Sequence, residues 1–211
     1  MLKVLGAAAI VAACMTASGC QYQAQPPAIG SFNVYSSYNE KLPGKYLLHV
    51  DGASLDRVVK PSDLNCSAHS YPLNLAESFR SSTQQTLANL VAELQLVSNP
   101  QDRLGLAAEK ARGMIIVRGE QSIAKLRVVP GFWTANMEAD VEIVASIIVD
   151  GKSGRLLGST VSGRGTAQSD AGSMCEGGAK ALGEAAGEAI RQTLTRLGEQ
   201  LNNSERVRKG L

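Results

Sequence analysis

Aromatic residues are scarce in this chain. They make up 4% of its 211 residues, and there is a single Trp. That shortage excludes a large aromatic-lined enzyme interior and predicts a modest core of small and aliphatic side chains. Histidine is scarce too, with only His49 and His69. A nucleophilic triad needs a His able to act as base. His49 falls in a predicted strand and His69 in a loop, and neither lies near a G-x-S-x-G signature. The formal net charge is only +2, without a clustered basic face, so nucleic acid is not an expected partner. The apolar run that opens the chain, Val4 to Met15, is shorter than the roughly 20 residues of a spanning helix.

What that opening does contain is a basic start at Lys3, a short apolar stretch and the small residues Ala17, Ser18 and Gly19 directly before Cys20. This is the pattern of a secretory signal peptide. The segment resembles the lipobox of bacterial lipoproteins, with Ala17 where that family usually has Leu. The resemblance implies cleavage before Cys20, lipidation of its thiol and a protein held at a membrane through that lipid. Two or three acyl chains on one residue anchor far better than one. Gln21, where an Asp would favour inner-membrane retention in enteric bacteria, implies the outer membrane, with the domain facing the periplasm. An ordinary signal peptide, with Cys20 incidental, is the other reading of the same residues.

Residues 1–19 are therefore expected as signal, 20–44 as lipidated N-terminus and flexible tether, 45–201 as one α/β domain and 202–211 as a frayed basic tail. The stretch from Gln21 to Gly44 is rich in Gln, Ser and Pro and has no sustained period, which favours a tether. Phe32, Val34 and Tyr35 leave an added edge strand open. Of the remaining cysteines, Cys14 leaves with the signal, so Cys66 and Cys175 are free to pair. In an oxidising space a disulfide is expected. Two free buried thiols are the alternative.

Patterning supplies the elements. "KYLLHV" from Lys45 reads as a short strand ended by Asp51-Gly52. "NLAESFRSSTQQTLANLVAELQLV" reads as one helix, N-capped by Asn74 and stopped at Asn99-Pro100. A shorter helix is predicted from Asp102 to Arg112. In "MIIVRGEQSIAKLRVV" the apolar parity shifts around Gly119, which predicts a bulge. From Met137 to Val149 apolar residues occupy every second position, with Glu138, Asp140 and Glu142 on the other face: a half-buried antiparallel strand. "DGKSG" then turns the chain into a polar return strand. A last helix carries Leu182, Ala186, Ile190, Leu194, Leu197 and Leu201 as its stripe. Gly183 and Gly187 interrupt that helix at about 1 kcal/mol each, which close approach to the sheet would offset.

The expected fold is α+β: a mostly antiparallel sheet of about four strands, with two main helices packed on one face. In this topology both helices start at the same end of the sheet, which brings Cys66 and Cys175 together. The element order, with "IVDGKSGRLLGS", resembles small outer-membrane lipoproteins of the YajG and LPS-assembly LptE type. That resemblance implies an accessory or assembly partner.

Motifs for chemistry fail on inspection. "GKSG" would need a glycine at Ser146 to make a phosphate loop, and it joins two strands. Cys66-x-x-His69 has ligand spacing, but a zinc site needs three or four ligands. Neither a metal nor a cofactor is expected. The carboxylates of Glu138, Asp140 and Glu142 read as a solvated face, with a cation or basic-partner surface as the alternative. Phe132 and Trp133, in the turn after Pro130, are either a contact point for a partner or lipid headgroups, or a satellite core folded under the sheet. The expected function is a non-enzymatic, membrane-anchored accessory subunit of an envelope machine, working through protein partners by an edge strand or the Phe132–Trp133 tip. A periplasmic lipid- or glycan-binding lipoprotein is the alternative, and an envelope hydrolase is the weakest class.

Overall fold

A computed structural model of the chain describes residues 21–26, 30–63 and 66–210. The predicted signal and Cys20 lie outside them. The main sheet contains β1 (Leu42–Asp51), β4 (Val91–Leu96), β5 (Gly113–Pro130), β6 (Ala135–Gly151) and β7 (Gly154–Asp170), in the order β4-β1-β5-β6-β7. Strands β5, β6 and β7 are antiparallel, as their hairpin turns require. Strand β1 runs parallel to both of its neighbours. The sheet is therefore mixed and five-stranded, where a mostly antiparallel one of about four was expected. A small antiparallel pair, β2 (Arg57–Val59) with β3 (Tyr71–Leu73), stands beside it.

The fifth strand comes from residues expected to be helical. Helix α1 (Ala76–Leu90) stops at Leu90, and Val91 is already extended. The stretch from Leu90 to Leu96 satisfies both a 3.6-residue and a 2-residue apolar period. The open edge of β1 decides between them, because β4 supplies partners for its backbone groups. The cap of α1 also differs. The Asp56 carboxylate, not Asn74, accepts from the Leu75 and Ala76 amides at 2.6 and 2.8 Å.

Side chains on β6 alternate as the pattern predicts. Met137, Ala139, Val141, Ile143, Ala145, Ile147 and Val149 are all fully buried. They face the long helix α3 (Gly177–Asn202), whose Leu182, Ala186, Ile190, Leu194, Leu197 and Leu201 complete the same core. Helix α1 adds Phe79 and Leu87 to it. The opposite face of the sheet is not bare. Helix α2 (Arg103–Ala108) covers a second small core of Leu47, Leu106, Ala111 and Met114. The register of β5 slips between Gly119 and Gln121, where a bulge was expected. A Cβ on Gly119 would stand 2.5 Å from Leu55 Cγ, so the glycine makes room for that buried side chain.

Both ends of the domain are more ordered than the sequence suggests. Residues 30–41 form a strap along α3. Gln25 lies against Gly183, a Cβ on Gly198 would stand 2.6 Å from Val34 Cγ2, and the Ser37 amide donates to Asn203 Oδ1 at 2.8 Å. Phe32 packs on the core, and its amide donates to Thr86 Oγ1 at 3.2 Å. The expected tether is thus docked: Gly183 leaves room for the Gln25 backbone and Gly198 for the Val34 side chain. Gly183 meets Gln25 of this segment, whereas close approach to the sheet was expected there. The tail forms α4 (Glu205–Lys209) instead of fraying. Val207 is buried and its carbonyl accepts from Tyr46 Oη at 3.2 Å. Arg208 lies 3.8 Å over the Tyr38 ring and donates to the Glu40 carbonyl at 3.1 Å, so tail and strap hold each other.

Candidate functional site

The features with most to say about function gather at one end of the domain. Strands β5 and β6 are joined there by a turn at residues 131–134, beyond the Pro130–Ala135 register pair. A Cβ on Gly131 would overlap the Thr134 carbonyl oxygen, so the turn closes tightly only with glycine there. Its tip presents Phe132 and Trp133, 91% and 90% exposed. The two rings meet edge to face, with centroids 4.8 Å apart. They pack on each other and not beneath the sheet, so the satellite-core reading is overturned. The turn is too short to fold two large side chains back onto strands already covered by their neighbours.

Two register steps behind the Pro130–Ala135 pair, about 7 Å at strand rise, Met137 faces Val128. Met137 Sδ lies 3.9 Å from Cys66 Sγ. Cys66 is joined by a disulfide to Cys175, across 109 residues of sequence and 6.1 Å between Cα atoms. Cys175 sits in the loop between β7 and α3, at a left-handed φ of 62°. The next residue, Glu176, has its carboxyl held below the usual carboxylate range by backbone N–H donors, including that of Met174 at 2.9 Å. Met174 itself is 54% exposed.

The start of the described chain belongs to the same end. The Tyr22 amide donates to the Ser70 carbonyl at 3.0 Å and the Ala24 amide to the Pro72 carbonyl at 2.9 Å. Residues 21–24 thereby extend the small β2–β3 sheet. The Tyr22 ring stacks on Tyr71, with centroids 5.9 Å apart, and lies 5.5 Å from His69. Tyr71 Oη donates to the Cys175 carbonyl at 2.6 Å. Burial, with the Tyr22 phenol and the Glu176 carboxylate nearby, pushes the Tyr71 hydroxyl up to about 12. From Gln25 the strap runs in the same direction as α3, away from this end. Sequence reasoning found the Phe132–Trp133 pair and the Cys66–Cys175 pair, but not that the two pairs lie at the same end. It missed Tyr22, Tyr71 and Met174, which carry no motif.

The other expected features separate from this end. Glu138 pairs with Arg127 at 2.7 Å, and Asp140 takes a forked contact from Arg164, with Nε at 3.0 Å. Two of the three carboxylates on this face of β6, Glu138 and Asp140, are therefore ion-paired at the surface. The space between the helices and the sheet, where a lipid- or glycan-binding groove was an alternative, is packed with buried side chains of β6, α1 and α3, and Phe32 and Val34 of the strap lie between α1 and α3. Among the described residues no group of three or more His, Cys, Asp or Glu is placed to hold a metal ion. No described helix is long and apolar enough to cross a membrane.

No protein-family model matches the chain. No curated protein matches it in sequence either. Among solved structures it is similar to a Xanthomonas campestris protein of the DUF330 family, at 11% identity and a TM-score of 0.41, covering 90% of this chain and 96% of that one. A minor lipoprotein of Acinetobacter baumannii aligns at 11% identity and a TM-score of 0.32, over 75% of this chain and 87% of the other. A hypothetical protein of Chlamydia trachomatis aligns at 10% identity and a TM-score of 0.31, over 75% and 98%.

Proposed function

We propose that this chain is a non-enzymatic lipoprotein, anchored to the outer membrane through Cys20 with its domain in the periplasm, and that it serves as an accessory or assembly subunit of an envelope machine. The observation that carries the reading is the Cys66–Cys175 disulfide, which suits a chain exported to an oxidising space. The lipobox-like residues before Cys20 support the anchor.

Edge strands supply the surface for a protein partner. The two edges of this sheet differ. Strand β7 is blunted: α3 side chains occupy its backbone, with Arg196 donating to the Ser162 carbonyl and Gln192 accepting from the Arg164 amide at 3.4 Å. Arg206 of α4 donates to the Arg155 carbonyl at 2.9 Å. Strand β4 ends the sheet on the other side and exposes Ala92, Glu93 and Gln95. The partner is proposed to add to β4.

Incorporation of radiolabelled palmitate tests the anchor: label in the unmodified protein and none in Cys20→Ser is expected, and an unlabelled unmodified protein overturns it. A photocrosslinking residue at Gln95 tests the partner surface. One crosslinked envelope protein of defined mass is expected from position 95 and none from a matched position on β7.

A further inference from the structure

The exposed aromatic tip and the start of the described chain share one end of the domain, and this has a consequence for the protein's orientation. Gln21 pairs with Ser70 beside the disulfide, and Cys20 is its covalent neighbour, with consecutive Cα atoms only about 3.8 Å apart. The strap leads away from that end, from Gly183 at Gln25 to Asn203 at Ser37. Because residues 21–24 are hydrogen-bonded to the domain, little slack separates residue 20 from the folded body. A lipid on Cys20 would hold the Phe132–Trp133 end, and not the opposite β6–β7 turn, toward the bilayer.

We infer that the Phe132–Trp133 tip is a bilayer-contacting surface that inserts at the phospholipid headgroup level and fixes the domain's orientation. This rests on the anchor at Cys20. The side chains suit that depth. Trp is enriched at membrane–water interfaces, where an apolar ring with one N–H donor is half in lipid and half in water. Each large aromatic side chain removes about 150–250 Å² from water when covered. The charges on the strands just behind the tip are mixed in sign: Arg127 pairs with Glu138, and the Asp63 carboxylate accepts from the Val128 amide. The contact is therefore apolar and interfacial, and expected to depend little on salt or on the fraction of anionic lipid.

Trp133 is the single Trp of the chain, so its fluorescence reports on this tip alone. The test uses the full mature protein purified from membranes and reconstituted into phosphatidylethanolamine–phosphatidylglycerol vesicles, with intact mass read on the same sample. Acylated protein with blue-shifted emission, quenching by lipids brominated near the headgroup and severalfold lower iodide quenching than in solution supports the inference. Phe132→Ser, which keeps the probe, should reduce the bromolipid quenching. Acylated, vesicle-bound protein whose Trp133 stays open to iodide and untouched by bromolipid overturns it while the anchor stands. Shielding by a protein partner without bromolipid quenching also overturns it. An intact mass without acyl chains removes the anchor and this inference together.

Discussion

Gly183, in the second turn of α3, faces the carbonyl oxygen of Gln25 so closely that any Cβ would overlap it. A helix interior normally prefers Ala to Gly by about 1 kcal/mol. Here the contact with the strap reverses the preference. Gly183→Val is expected to release residues 21–26 and 30–41 and cost about 1–3 kcal/mol, the usual range for overpacking. Hydrogen exchange would show it: the Phe32 amide, bonded to Thr86, should lose protection while the β6 amides keep theirs.

Loss of the Cys66–Cys175 bond is expected to be the larger injury. It closes a loop across 109 residues of sequence. In the chain-entropy account such a bridge contributes about 3–5 kcal/mol. Cys66→Ser with Cys175→Ser, or reduction with thiol, should lower the unfolding free energy by that amount and move the denaturation midpoint down accordingly. An unchanged midpoint would remove the bridge from the stability of the fold.

Alkaline pH should act through Tyr71. Its hydroxyl is pushed up to about 12, from an ordinary value of 10.0. The unfolded chain therefore gives up this proton before the folded chain does. The stabilisation is full below pH 10 and is lost as pH rises toward 12. Tyr46, raised by burial against the opposing influence of Arg112 and Arg208, adds in the same sense. Urea midpoints measured across that window should fall, and Tyr71→Phe should flatten the fall. At neutral pH the same variant should cost about 0.5–1.5 kcal/mol for the hydrogen bond to the Cys175 carbonyl.

Gly165 on β7 lies under the Ala185 carbonyl of α3, and Gly163 under the Ala189 carbonyl. These alternate glycines let the helix backbone rest on the sheet. Gly165→Val is expected to lift α3 and destabilise the whole domain by about 1–3 kcal/mol. Trp133→Ala, by contrast, should leave the unfolding free energy within about 0.5 kcal/mol, as for other exposed positions. Thermal melting of the two variants side by side checks both.

Much of this structure follows from the sequence alone. The period-2 pattern from Met137 to Val149 dictates a strand with one buried face, since alternate side chains point the same way whatever surrounds them. The turn at Gly151–Gly154, the bulge at Gly119 and the stripe on α3 are equally local. The pairing of Cys66 with Cys175 was legible because the order of elements sets which ends meet. Phe132 and Trp133 were legible as oddities, but their exposure was not. Tertiary structure decided the rest. Leu90 to Leu96 suits helix and strand alike, and the unpaired edge of β1 made β4 a strand. Residues 30–41 have no period of their own, and contacts with Thr86, Gly198 and Asn203 ordered them. The tail became a helix because Tyr46 and Tyr38 offered it partners. Local patterns specify elements through steric and apolar periodicity, which act within one segment. Where a segment's own preferences nearly cancel, hydrogen bonds and burial supplied by distant residues choose its state.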